Sequence, residues 1–351
     1  MARPVGATHQ LVGSVQTALD GLDLLCIADV ANGQTDGQSF VAGLRADLAD
    51  LEVTLADGIT PVPWRLPDES CFSQTSGAEK LLLICKIPTA DVKVWRGCQQ
   101  PLGPSAGPGV LPSTARTYAP LGEETGAMAD WKGNHPLTRY NSLLARTDGI
   151  LSYGQACNGT DFAYNAAFTT PAATNLTCSF WVRPSTLNYQ RWFSRGGWSR
   201  LPAFTLEPSK SRIHWGYYWH VYSPWLPTVG EWTHMAYTLT IDPGGNHVEN
   251  LYVDGVFKAT ATTTSDLSGP MPMTLGNDMW DTPRPDEILL GDIDEFLWLD
   301  EAWDATQIGQ YYQMVSAPEA WTTWDGPEES LGAEPAVGVY RPWLMTGGRM
   351  R

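Results

Sequence analysis

Two segments between Leu239 and Leu299 constrain this chain most. Leu251-Tyr252-Val253-Asp254-Gly255-Val256-Phe257 reads as one arm of a β-hairpin, with Asp254-Gly255 supplying the φ > 0 turn that twisted strands prefer. Leu289 to Leu299 alternates more cleanly. Ile293, Glu295, Leu297 and Leu299 fall on one face, and Asp292, Asp294, Phe296 and Trp298 on the other. Both faces carry large apolar groups, which predicts a central strand covered on both sides. The chain from Asp148 to Gln313 reads as strands built around these two pieces.

Composition agrees with strands. The 34 Gly and 26 Pro break long helices, and 16 Trp suit pleated surfaces, so the expected class is all-β. A chain of 351 residues is long enough for two domains. The net charge of −16, without any basic run, argues against a nucleic-acid partner, because phosphate neutralisation needs clustered Lys and Arg. Solubility accounts for the acidity; carboxylates that hold Ca²⁺ are the sharper alternative. The six cysteines include no CxxC pair, which argues against zinc. Met1 to Gly6 lacks the apolar core of a secretory signal, and no run approaches the roughly 20 apolar residues of a membrane span. The expectation is a chain made in a reducing cytoplasm, with free thiols packed as small hydrophobes. A secreted chain with its signal already removed would look the same.

In order, the segments read as an amino-terminal arm (1–21), a small β-sandwich (22–100), a Pro/Gly-rich linker (101–148), a larger β-domain (149–315) and an extended docking tail (316–351). Within the first block, Asp50, Val53, Asp57-Gly58, Val62 to Leu66 and Leu81 to Pro88 resemble a small β-sandwich family of unknown biochemical function. That family often precedes laminin-G-like domains in surface and phage proteins. The resemblance departs at Val94-Trp95-Arg96-Gly97, where the family closes on an aromatic, glycine-rich step, and it implies a fold rather than a reaction. In the larger domain, Trp181 to Pro184, Gly230 to Ala236, Leu251 to Gly255 and Leu290 to Phe296 follow one another in the order of the concanavalin A-like, laminin-G-type jelly roll. That resemblance implies two stacked antiparallel sheets, then a short helix, for which Asp304 is the expected N-cap. The expected architecture is two β-sandwich domains, the second a concanavalin A-like jelly roll, followed by the tail.

Three chemistries compete for a site. Jelly-roll β-glucanases set three carboxylates along one strand. Here Asp292 and Asp294 take the first two places, Leu297 stands at the third, and Glu295 points to the other face, so hydrolysis is not expected. By analogy with the fold, Asn158, Asp161, Asp292 and Asp294 are candidate calcium ligands, although no EF-hand spacing is present. The third feature is aromatic. Tyr189, Trp192, Trp198, Trp215, Tyr217, Tyr218, Trp219, Tyr222 and Trp225 crowd one window, with Arg191, Arg195, Arg200 and His220 as hydrogen-bond donors. Aromatic faces stack on sugars, but one face of this segment must be core. Trp198, Trp215, Trp219, Tyr222 and Trp225 are the expected glycan or partner contacts. His234 is expected to make a buried structural hydrogen bond.

Together these readings lead to a non-enzymatic surface protein of a bacteriophage virion, a capsid decoration, head fibre or tail fibre. It would be assembled in the host cytoplasm as a homo-oligomer beside other virion proteins and would display its jelly roll to host glycans. A secreted carbohydrate-binding protein is the alternative, and a jelly-roll glycosidase the third reading.

Overall fold

The computed structural model describes residues 3–16, 19, 21–99, 107–141, 145–170, 175–196, 203–215, 221–263, 269–278, 287–326 and 328–331. The first module holds β1 (His9–Val15), β2 (Asp23–Asp29), helix α1 (Gln38–Ala42), β3 (Glu52–Leu55), β4 (Trp64–Arg65), β5 (Phe72–Ser73), β6 (Lys80–Cys85) and β7 (Asp91–Arg96). Next come β8 (Ala115–Ala119), β9 (Thr138–Arg139), β10 (Ala145–Asp148), β11 (Tyr153–Asn158), β12 (Ala163–Asn165), β13 (Thr169–Thr170), β14 (Leu176–Pro184), β15 (Gln190–Arg195), β16 (Ala203–Glu207), β17 (Arg212–Trp215) and β18 (Val221–Ser223). The second module continues with β19 (Thr233–Ile241), β20 (His247–Val253), β21 (Val256–Thr263), β22 (Gly269–Pro270), β23 (Met273–Leu275) and β24 (Leu290–Leu299). Helices α2 (Ala305–Ser316) and α3 (Pro318–Trp321) and strands β25 (Thr322–Trp324) and β26 (Glu329–Ser330) follow.

The amino-terminal module is a sandwich of two small sheets, β25-β1-β7-β3 and β2-β6-β4, with β26 added to β1 and β5 to β6. Neither a free arm nor a free tail is seen in the described parts. Residues read as an arm form β1, and residues read as tail return to it, pairing Gly13 with Trp324 and Gln10 with Glu329. Gly13 makes this possible: a Cβ there would stand 2.4 Å from the Thr323 carbonyl oxygen. The signal was invisible locally because β1 and β25 lie some 300 positions apart and each is short.

The carboxyl-terminal module is a jelly roll. A sheet β10-β11-β24-β14-β19-β20-β21 faces a second, β18-β17-β16-β15-β23-β12-β9, and β13 and β22 form a separate pair. Phe180, Phe193, Phe204, Tyr237, Phe296 and Trp298 fill the space between them, Phe180 meeting Phe204 edge to face at 5.1 Å. The segment read as a linker is more than a connection. Its β8 hydrogen-bonds to β24, Tyr118 opposite Leu297, and Arg116 Nε donates to Asp300 at 2.7 Å. Pro and Gly crowd only its first dozen positions; from Ala115 the chain is free to extend.

Strand β24 is central, as expected, but its faces are not those that strict alternation predicts. Ser179 lies opposite Leu297, and Trp181 lies opposite Asp294. Two steps on β14 thus match three on β24, so β24 carries a bulge, with Glu295 in the left-handed region at φ 51°. One extra residue exchanges the faces beyond it. Ile293, Phe296 and Trp298 therefore share the sandwich interior. Leu297 and Leu299 turn to the back of the sheet, where they join Trp181 and Tyr252, the amino-terminal module's Leu25, Phe40 and Trp64, and Ile308, Tyr311 and Met314 of α2 in one continuous core. Asp304 caps α2 as expected, accepting from the Gln307 amide at 2.9 Å while Gln307 accepts from the Asp304 amide at 3.0 Å. Among the described residues no helix is long and apolar enough to cross a membrane.

A core shared by both modules couples their unfolding. Calorimetry of the whole chain is expected to show one cooperative transition. Leu297→Ala should lower it as a unit by about 2–5 kcal/mol of stability; two separate transitions, only one of them shifted, would refute the coupling.

Candidate functional site

The bulge places two carboxylates where the jelly roll meets its neighbours. Asp294 Oδ2 accepts from the Ile150 amide at 2.8 Å, and its Oδ1 accepts from the Glu295 amide at 2.9 Å. The Tyr118 hydroxyl donates to Glu295 Oε2. Both side chains have no solvent exposure. Burial, reinforced by their mutual repulsion, raises Asp294 well above the ordinary carboxylate range. Burial pushes Glu295 up to about 8, against the lowering effect of the Tyr118 hydrogen bond. Tyr118 comes from the segment read as a linker, so no local pattern announced it.

His234 makes the buried hydrogen bond expected of it: its Nε2 lies 2.7 Å from Ser179 Oγ. Burial pulls its pKa down to about 3, so the ring is neutral. Ser179 and His234 are both fully buried, which gives this pair no route to a substrate.

The four expected calcium ligands do not act together. Asn158 Oδ1 accepts from the amide and hydroxyl of Thr160. Asp161 is buried, Asp292 accepts from Arg183 Nε at 2.7 Å, and Asp294 is committed as above. Among the described residues no group of three or more His, Cys, Asp or Glu side chains is placed to hold a metal ion.

The aromatic window divides between core and surface. Trp215, expected at the surface, is fully buried: its backbone pairs with Phe204 in β16, and its ring lies 6.2 Å from Tyr237. Alternation through β17 is therefore resolved with Ile213 and Trp215 turned inward, and Trp192 is buried in the same core. Trp225 is half-buried against that core. Tyr222 belongs to β18, the edge strand, opposite His214. Trp198 and Trp219 lie outside the described residues, as do Arg200, Tyr217, Tyr218 and His220. Arg191 is no surface donor. It is buried, with Nη1 2.5 Å from Asp278 and Nη2 2.9 Å from Glu287. All six cysteines are buried and unpaired, and burial drives the Cys71 thiol up to about 12.

Residues 158–309 match the family model of the concanavalin A-like lectin/glucanases superfamily, in its laminin-G form. The carboxyl-terminal module is thus a concanavalin A-like jelly roll within an all-β chain. No curated protein matches the sequence. Among solved structures, domain 4 of an extracellular arabinanase from Geobacillus stearothermophilus, in complex with arabinotriose, is 20% identical with a TM-score of 0.40; the match covers 54% of this chain and all of that one. The ligand-binding domain of botulinum neurotoxin serotype D, in complex with N-acetylneuraminic acid, is 12% identical with a TM-score of 0.43, over 57% of this chain and 50% of that one. Trypanosoma rangeli sialidase is 13% identical with a TM-score of 0.44, over 62% of this chain and 34% of that one. This chain therefore spans half or less of the neurotoxin and sialidase chains.

The buried acids set a pH dependence. Folded Glu295 keeps its proton to about pH 8, whereas an unfolded glutamate releases it near 4.5. The folded state binds more protons between these values, so stability is greatest below about 4.5 and falls as pH rises to 8. Glu295→Gln should lessen that fall, leaving the share due to Asp294, and stabilise the protein by about 1–3 kcal/mol at pH 8. Denaturant titrations at pH 5 and 8 test this; equal slopes with pH in both proteins would contradict it.

Proposed function

We propose that this chain is a non-enzymatic binding protein of a bacteriophage virion surface, whose jelly roll contacts host glycans. The observation that carries the non-enzymatic part is the sealing of Asp294 and Glu295. Retaining hydrolysis needs two carboxyls about 5–5.5 Å apart on either side of a bound sugar. Here the acidic pair of the central strand turns towards Tyr118, Ile150 and Tyr311 of α2, and Asp292 is engaged by Arg183. The superfamily includes lectins as well as glucanases, and with its acids closed off the module retains the binding role.

The virion setting is supported by cysteine chemistry. Lectin-like modules meet their ligands outside cells, yet all six thiols here are unpaired, which fits folding in a reducing compartment. Assembly in host cytosol followed by release with the particle reconciles the two. Unpaired thiols weigh against the alternative, a secreted carbohydrate-binding protein.

The full chain on a glycan array should retain a defined set of sugars, and the same sugars incubated with it should be recovered uncut. Release of reducing ends, lost in Asp294→Asn, would refute the non-enzymatic assignment. Antibody against the chain should label intact phage particles; labelling confined to a bacterial surface would refute the virion assignment.

A further inference from the structure

The two modules also enclose a cleft of about 320 Å³ that no sequence motif marks. Its amino-terminal wall is β4 and the turn after it, with Arg65, Asp68 and Glu69; its jelly-roll wall is the loop after β8, with Glu123 and Glu124, together with Arg146 of β10. Gly122 lets the walls approach, since a Cβ there would meet Asp68 Oδ2 at 2.7 Å.

Much of this lining is already committed. Asp68 Oδ1 accepts from the Ser70 amide and hydroxyl, and its Oδ2 accepts from the Tyr153 amide at 2.9 Å. Arg146 lies over the Tyr153 ring at 3.6 Å and donates to Glu69 at 2.6 Å. Arg65 differs. Its guanidinium carbon lies over the Trp131 ring, 4.2 Å from the centroid, and the group makes no hydrogen bond or ion pair among the described residues. The guanidinium is half-buried, and its nitrogens are not closed off from solvent, so they stand ready to donate to whatever enters the cleft. Facing it across the cleft, Glu123 uses Oε1 on the Ala129 amide and has its Oε2 closed off from solvent, whereas Glu124 is exposed and its carboxylate is engaged by no hydrogen bond or ion pair among the described residues.

Unused donors on one wall and unused acceptors on the other call for a ligand that is both acceptor and donor, which is the chemistry of a hydroxyl. Carboxylates outnumber guanidiniums in the lining, which disfavours an anion. Arg65 disfavours a cation. We propose that this cleft is a carbohydrate subsite for an uncharged sugar residue, with Arg65 donating to its hydroxyl oxygens and Glu124 accepting from its hydroxyl protons. This rests on the glycan-binding function proposed above and moves the contact from the β17–β18 edge to the junction of the modules.

Calorimetric titration of the full chain with neutral oligosaccharides taken from the array tests it. Glu124→Gln, at an exposed position, and Arg65→Lys should each weaken binding about tenfold or more, while Val229→Ala, at an exposed position outside the cleft lining, leaves it unchanged. Melting temperatures near wild type confirm that the variants fold. Wild-type binding that survives both cleft variants, or a preference for uronates over neutral sugars, would overturn the cleft assignment and leave the binding function standing. No binding of any glycan by the wild-type chain would overturn both.

Discussion

The back of one β-sheet must be kept from water, and the rest of the molecule follows from how that is done. The sheet around β24 is apolar on both faces. Its front closes against the second sheet of the jelly roll, and its back needs a cover of equal size. The amino-terminal sandwich and α2 supply it, in one continuous core that joins Trp64, Phe40, Tyr311 and Met314 to Leu297, Leu299 and Trp181. Burial of this kind contributes about 25 cal/mol per Å² of apolar surface. The two sandwiches are therefore bound into one core rather than strung on a linker. The ends of the chain reinforce the arrangement: β25 and β26 complete the sheet that β1 begins.

The bulge at Glu295 is the local device that makes the cover fit. Without it, Leu297 would share a face with Ile293. With it, Phe296 and Trp298 join Ile293 in the sandwich while Leu297 and Leu299 face the other way. The same step buries Asp294 and Glu295 completely. Two carboxylates side by side on a central strand of this superfamily invite a catalytic reading; their surroundings instead hold protons on them and remove water.

The strands with regular alternation, the Asp254-Gly255 turn, the N-cap Asp304 and the order of the jelly-roll motifs were all legible, because each is a local pattern. The bulge was not, since an added residue is defined only against the opposing strand. Nor were β1 and β25 legible, whose apolar residues are few and whose partners are distant. The aromatic window shows the same limit. Periodicity put Trp215 on a defined face of β17 but could not say which face was inside, and the core claimed it. The cleft between the modules was least legible of all, because Arg65, Trp131 and Glu123 meet only after both sandwiches have docked.

The central claim is that the acidic pair of β24 is sealed, protonated and structural. Infrared difference spectroscopy of the carboxyl C=O stretch at neutral pH tests it most directly. A protonated carboxyl band that persists at pH 7, resists rapid exchange with deuterated solvent and loses intensity in Glu295→Gln, with the Asp294 part remaining, is the predicted result. Full ionisation of every carboxyl by pH 7, with rapid exchange, would mean that water reaches the pair and that the junction between the modules is open.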